Sequence, residues 1–163
     1  LFCQMTEQEQ AEKTYHNILN LVWEFLTVKG AKINFENQLE KLEEIIPDVN
    51  NYDFFGVVPA LDACEALGEL LHAIIAGETL EKAIQISQIS LGTVCSLLET
   101  QENRDLSENE LKSREEIEEE LDLQWQIYRL LKDCEKRDVD LILSLRNEIK
   151  QEGISNIGIK IEQ

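Results

Sequence analysis

Apolar residues recur at intervals of three and four along most of the chain, which predicts amphipathic α-helices separated by short loops. The first predicted helix covers residues 7–29 and ends at Gly30, where a glycine in the left-handed conformation closes a helix well. The second follows Asn34, a favourable N-cap residue, and stops before Pro47. The beginning of the chain is therefore predicted to be helical.

Four further helices are predicted, at residues 59–76, 80–99, 114–135 and 139–151, and the first of these four is expected to end at Gly77. Thr79 is expected to cap the fourth helix of the chain, which is apolar around most of its circumference and is therefore expected at the centre of the bundle. Small residues form one stripe along this helix, and we expect a neighbouring helix to approach closely there while the hydroxyls bond to carbonyls of their own helix: Ser87, Ser90, Thr93 and Ser96.

Two S-x-x-E sequences precede the fifth helix, at Ser107 and at Ser113, and each has the form of a capping box. They predict a short helical turn that leads into the longer helix, and Asp138 is expected to cap the sixth. The apolar residues of the fifth helix place one side of it in the predicted core: Ile117, Leu121, Trp125, Tyr128 and Leu131.

Near the C-terminus the period changes, because isoleucines at 157, 159 and 161 alternate with Gly158 and Lys160. This alternation is typical of a strand, which would lie across a helix groove or pair with another chain. Packing in a groove is favoured, and intermolecular pairing is left open. The fold predicted for residues 1–163 is thus a single all-α domain of about six helices, with a central apolar helix and an extended C-terminal tail.

The net charge of −18 limits the classes of partner that the protein can bind. Residues 99–122 contain eleven acidic side chains and three basic ones, so this segment alone carries −8. Such a surface repels phosphate backbones and anionic lipids, and we expect neither nucleic acid nor membrane as a partner. The acidic segment is interpreted as a solvated face, with docking of a basic partner or mimicry of nucleic acid as the alternatives.

Four cysteines are widely spaced and form no C-x-x-C pair, which argues against a zinc or redox motif: Cys3, Cys64, Cys95 and Cys134. A reducing, cytoplasmic location is expected. No apolar run reaches the ~20 residues of a membrane span. The sequence also contains no phosphate-binding glycine loop, nucleotide fingerprint or nucleophile with an evident base, so neither a cofactor nor enzyme chemistry is predicted.

One candidate metal site lies on the third predicted helix, where Glu69 and His72 form an E-x-x-H pair. Together with Asp62 and Glu65 they occupy a helical arc of roughly 80°. A di-iron bundle would need a second such pair, and the other histidine of the chain, His16, lacks the glutamate three positions before it. A mononuclear site of Glu65, Glu69, His72 and one residue of another helix, or an acid–base pair, remains open; an ordinary solvent face is the favoured interpretation.

Candidate interaction residues are Trp125 and Tyr128, which are residue types that often dominate protein interfaces, and Ile157 and Ile159 of the tail. The alternative interpretation of the aromatic pair is a place in the core.

Several stretches together resemble the YjaG-like family of uncharacterised bacterial proteins: LVWEFLTVKGAKINFENQLEKLEEIIP, PALDACEALGELLH, GETLEKA, LDLQWQIYRLL and SNIGI. The resemblance implies an all-helical, self-associating cytoplasmic protein with no assigned activity or catalytic residues, and a family segment preceding the residue that matches Leu1. The function expected is therefore that of a non-enzymatic homo-oligomer or protein-interaction module. A metal-binding helical protein is the alternative.

Overall fold

The computed structural model describes residues 2–152 and 155–159. Within this part of the chain there is no strand, and the helices are α1 (Phe2–Met5), α2 (Glu9–Thr27), α3 (Phe35–Glu43), α4 (Val57–Ala76), α5 (Thr79–Glu102), α6 (Glu108–Leu111), α7 (Glu115–Leu131) and α8 (Val139–Glu152), with a 3-10 turn at Val49–Asn51. The all-α prediction is confirmed. The six predicted helices correspond to α2, α3, α4, α5, α7 and α8. Helix α6 is the short helical turn predicted ahead of the fifth helix, and α1 is an addition.

Several helix ends have the predicted local chemistry. The Asn34 side chain accepts a hydrogen bond from the backbone N–H of Asn37 at the start of α3, and Asp138 does the same for Leu141 in α8. Gly77 ends α4 with a φ of 76°, in the left-handed region that a residue without Cβ adopts at little cost.

Two other predicted caps are wrong. Thr79 is the first residue of α5, its N-cap is Glu78, and neither side chain caps the helix. Ser107 forms the predicted capping box with Glu110, but the hydroxyl of Ser113 donates to the Glu110 carbonyl and is used in closing α6. Consequently α7 begins without a side-chain cap.

The core consists of two hydrophobic clusters. The first joins α2, α3 and α4 through Ile18, Val22, Phe35, Leu42, Cys64, Leu67 and Leu71. The second is smaller and joins α5, α7 and the α5–α6 loop through Val94, Leu98, Leu106 and Ile117. The contact of α4 with α5, the most extensive between any two helices, connects the two clusters, and α8 packs on α2.

The predicted central helix is α5, which packs between α4 and α7. Its C-terminal half is buried at Thr93, Val94 and Leu98, as expected for a central position. Its N-terminal half is not surrounded, because Leu80 is 75% exposed and Ile84 is also exposed. None of the described helices is long and apolar enough to cross a bilayer.

The predicted strand at the C-terminus is wrong for residues 155–159, which form a turn. The backbone N–H of Gly158 donates to the carbonyl oxygen of Ser155 at 2.9 Å. Gly158 adopts a φ of 74°, in the left-handed region that favours glycine. Ile157 packs against the second cluster, and Asn156 contacts Ser90 of α5. The turn therefore lies against α5, in agreement with the prediction that the tail packs in a helix groove. Ile161 and the rest of residues 160–163 lie outside the described residues.

Candidate functional site

The E-x-x-H pair on α4 is divided between two environments. Glu69 is mostly buried and forms an ion pair with Lys82 at the start of α5, with 2.5 Å between Oε2 and Nζ. The hydrogen bond to Glu69 raises the pKa of the Lys82 ammonium group. His72, by contrast, is exposed. The Glu69 carboxylate therefore forms an ion pair that joins α4 to α5.

The remaining candidate metal ligands do not converge. Glu65 is exposed on α4, and His16 is exposed on α2. In residues 2–152 and 155–159, no group of three or more His, Cys, Asp or Glu side chains is placed to hold a metal ion. The metal site of Glu65, Glu69 and His72 thus stays a prediction without a gathered ligand set in the described residues.

Asp62, the first residue of the same stripe, faces α5. Its Oδ2 atom lies 2.6 Å from the hydroxyl of Thr93, which is itself buried. That hydroxyl is also 3.0 Å from the carbonyl of Ile89, but it donates its one proton to Asp62, because the carboxylate oxygen is the nearer acceptor. The threonine therefore fixes the orientation of the Asp62 carboxylate.

A second set of polar contacts joins α5 to α7, and we name it the polar seam: Ser87, Ser90, Glu120 and Gln124. The Ser90 hydroxyl donates to Glu120 Oε1 at 2.7 Å, and the Gln124 side-chain amide donates to the same oxygen at 2.6 Å. The Ser87 hydroxyl donates to Gln124 Oε1 at 2.5 Å. The expectation that these two serines bond to carbonyls of their own helix is therefore wrong.

The turn at 155–159 completes the polar seam from the other side. The side-chain amide of Asn156 donates to the hydroxyl of Ser90 at 2.9 Å and lies 3.2 Å from its carbonyl. Glu120 is only 5% exposed, and among the ion pairs of the described residues none includes it. In this part of the chain the polar contacts of its carboxylate are with hydrogen-bond donors of Ser90 and Gln124.

The polar seam determines which side of α7 faces the core. The inward residues are Ile117, Glu120, Gln124 and Ile127, while Leu121, Trp125 and Tyr128 of the predicted buried side are exposed. Leu131, the remaining residue of the predicted buried side, is exposed as well. Taking about 100° per residue, the helix is rotated by roughly 60° from the predicted orientation. The interpretation of Trp125 and Tyr128 as core residues is therefore wrong.

The exposed aromatic residues form an ordered surface group. The rings of Trp125 and Tyr128 meet edge to face with centroids 5.4 Å apart, and the Arg129 guanidinium lies 5.8 Å from the Trp125 ring. Exposed residues of the same helical arc surround them, and we name this group the outer α7 face: Glu118, Leu121, Asp122, Trp125, Tyr128, Arg129 and Lys132. The Trp125 side chain remains 54% exposed and the Tyr128 side chain 56%.

A cleft of about 640 Å³ lies on the inner side of α7, bordered by α2, α4, α5 and the turn at 155–159. Ile157 and Ile159, the other two candidate interaction residues, are half-buried and line it. Asp62 and Thr93 line it as well. The two candidate isoleucines thus contribute to an internal surface, whereas the two aromatic candidates contribute to an external one.

One cysteine in this cleft has the environment of a structural thiol. Burial raises the pKa of Cys64 to about 11, and the neighbouring Cys3 adds to the shift. Burial likewise raises the pKa of Tyr15, which also lines the cleft, to about 12. At neutral pH both groups are protonated, so Cys64 lacks the thiolate that a nucleophile requires.

Sequence reasoning missed the inward polar residues Glu120, Gln124 and Asn156. A signal for the first two was present, because residues 87 and 90 on α5 and residues 120 and 124 on α7 each place polar groups on one helical face. Nothing local indicated Asn156, because its partner Ser90 lies 66 residues away.

Comparison with known proteins gives a consistent relationship. The family model described as "Protein of unknown function (DUF416)" matches residues 1–160. An uncharacterized protein of Haemophilus influenzae is 72% identical, and uncharacterized YjaG proteins of Salmonella typhimurium and Escherichia coli K12 are 51% and 50% identical, each over all of this chain and 83% of the relative. The crystal structure of a DUF416 family protein from Shewanella baltica OS155 is 32% identical with a TM-score of 0.83, over 91% of this chain and 77% of that one.

Proposed function

The chain belongs to the DUF416 family, whose description assigns no function, and we propose that it is a cytoplasmic, non-enzymatic protein that acts by associating with a second copy of itself through the outer α7 face. The YjaG proteins among its relatives confirm the resemblance drawn from the sequence motifs. The observation that carries the proposal is the orientation of α7, which buries Glu120, turns the half-buried Gln124 inward and leaves Trp125 and Tyr128 in water.

Exposed aromatic pairs of this kind are costly in an isolated chain and favourable in an interface. Trp and Tyr supply a large apolar area with few rotatable bonds, and they are enriched among residues that dominate binding energy. On the outer α7 face the edge-to-face contact and the Arg129 guanidinium already hold Trp125 in one orientation. Little conformational freedom therefore remains to be lost when a partner covers it.

The charges on this face favour a second copy as the partner. Glu118 and Asp122 lie on the N-terminal side of Trp125, and Arg129 and Lys132 lie on its C-terminal side. In an antiparallel pair of α7 helices centred on Trp125, the acidic half of each copy faces the basic half of the other. A symmetric dimer requires such self-complementarity, because one surface patch meets its own copy.

The first test measures mass against concentration by sedimentation equilibrium. We expect a concentration-dependent dimer for the unaltered chain and a dissociation constant raised by about 30-fold or more for Trp125→Ala, the effect of about 2 kcal/mol at an interface hot spot. Leu80→Ala is the matched control, since Leu80 is also an exposed apolar residue but belongs to α5. A chain that stays monomeric at high concentration, or equal effects of the two variants, contradicts the proposal.

Charge exchange tests the antiparallel arrangement. Glu118→Lys should weaken the dimer, and adding Lys132→Glu should restore it. The two positions are fourteen residues apart on one helix, about 21 Å, so they are too distant to pair within one copy. Restoration therefore requires contact between copies, and a double variant as weak as the single one contradicts the antiparallel pairing.

A further inference from the structure

The cleft on the inner side of α7 has the size of a small-molecule site. Its volume is about 640 Å³, within the roughly 300–1,000 Å³ of ligand pockets in proteins. It lies against α4 and α5 and is separated from the outer α7 face by the thickness of α7 itself. The proposal for this cleft therefore does not rest on the association proposed above.

Aliphatic side chains form most of the cleft wall: Ile86, Ile89, Leu123, Ile127, Ile157 and Ile159. The charged residues among its described lining are the acids Glu12 and Asp62, and no lysine or arginine belongs to that lining. The imidazole of His16 is the one basic side chain among these described lining residues. The wall of the cleft is thus mostly apolar, and its acidic side chains are Glu12 and Asp62.

Asp62 is the acidic group whose orientation is fixed. Its Oδ2 atom is held by the Thr93 hydroxyl, and the hydrogen bonds of the described residues make no use of its Oδ1 atom. None of the ion pairs in the described part of the chain includes Asp62. A half-buried carboxylate beside apolar walls is stabilised by a cation that donates a hydrogen bond to it.

We propose that this cleft binds an amphipathic organic cation, with the ammonium group on Asp62 and the alkyl chain along the isoleucines. A primary ammonium group supplies both the positive charge and the N–H donors for Oδ1. The alkyl chain gains the burial of apolar surface that the six aliphatic side chains offer. A neutral alcohol supplies only part of this complementarity, and a carboxylate ligand is repelled.

The test is calorimetric titration with decylamine, compared with decanol and decanoate of the same chain length. We expect decylamine to bind most tightly and decanoate least. Asp62→Asn keeps an acceptor for Thr93 but removes the charge, and it should weaken decylamine by about 10- to 100-fold, the value of a hydrogen bond to a charged group. Glu65→Gln is the matched control, because Glu65 is exposed three residues further along α4, and it should leave the affinity unchanged.

A second variant tests the apolar wall. Ala60 lines the cleft, and Ala60→Phe should abolish binding by occupying its volume while thermal unfolding verifies that the variant folds. Several outcomes overturn the proposal: no binding of decylamine, equal binding of all three ligands, or equal weakening by Asp62→Asn and Glu65→Gln. The last result would mean that the amine binds diffusely to an acidic surface.

Discussion

The polar seam should contribute measurably to the free energy of unfolding, and a double-mutant cycle between Ser90 and Glu120 tests this. Ser90→Ala removes a 2.7 Å hydrogen bond to a buried carboxylate and also leaves the Asn156 amide without one acceptor. A hydrogen bond to a charged group contributes about 1.5–3 kcal/mol. Alanine also improves helix propensity slightly, so a serine-to-alanine change elsewhere on α5 is needed as a control. Ser96→Ala serves as that control, because the Ser96 side chain takes no part in the polar seam.

Urea unfolding monitored by circular dichroism gives the free energies, provided that each variant unfolds in one transition. We expect Ser90→Ala to be at least about 1 kcal/mol more destabilising than Ser96→Ala. In the cycle with Glu120→Ala, which removes the accepting Oε1 atom, the coupling energy should be about 1–3 kcal/mol. If the two serine variants are equal, or if the coupling is below about 0.5 kcal/mol, the polar seam does not hold α7 in its orientation.

Two further predictions concern the first hydrophobic cluster and the cleft. Leu71 is fully buried, and Leu71→Ala should lower the free energy of unfolding by about 2–5 kcal/mol in the same urea assay; a loss as small as that of the exposed Leu80→Ala would contradict the assigned core. Because burial raises the Cys64 pKa from 9.0 to about 11, the folded state loses stability as pH rises from about 9 to 11. Urea unfolding of Cys64→Ala should show a smaller loss over that range, and equal losses would refute the assignment.

The parts of the fold that were predicted from sequence depend on local chemistry. Asn34 and Asp138 cap helices because their side chains reach backbone N–H groups three residues away, and Gly77 ends α4 because its own φ is positive. The orientation of α7 depends instead on contacts with another helix. Apolar residues occur on two sides of α7, and the hydroxyls of Ser87 and Ser90 decide between them by binding polar residues.

The candidate site shows the same limit. The helical arc that contains Asp62, Glu69 and His72 follows from their spacing, since all three lie on α4. Their surroundings do not follow from spacing, because Lys82 and Thr93 reach them from α5. One helix therefore carries an ion pair, an oriented carboxylate and an exposed imidazole within a single predicted stripe.

The division of the core into two clusters has a consequence for local opening of the native state. The cluster of α5 and α7 contains fewer buried apolar residues than the cluster of α2, α3 and α4, and hydrogen bonds of the polar seam replace apolar contact in part of it. Regions with less apolar burial open at lower free energy than the whole molecule unfolds. We therefore expect the backbone amides of α7 to exchange hydrogen with solvent through a partial opening that leaves α2, α3 and α4 folded.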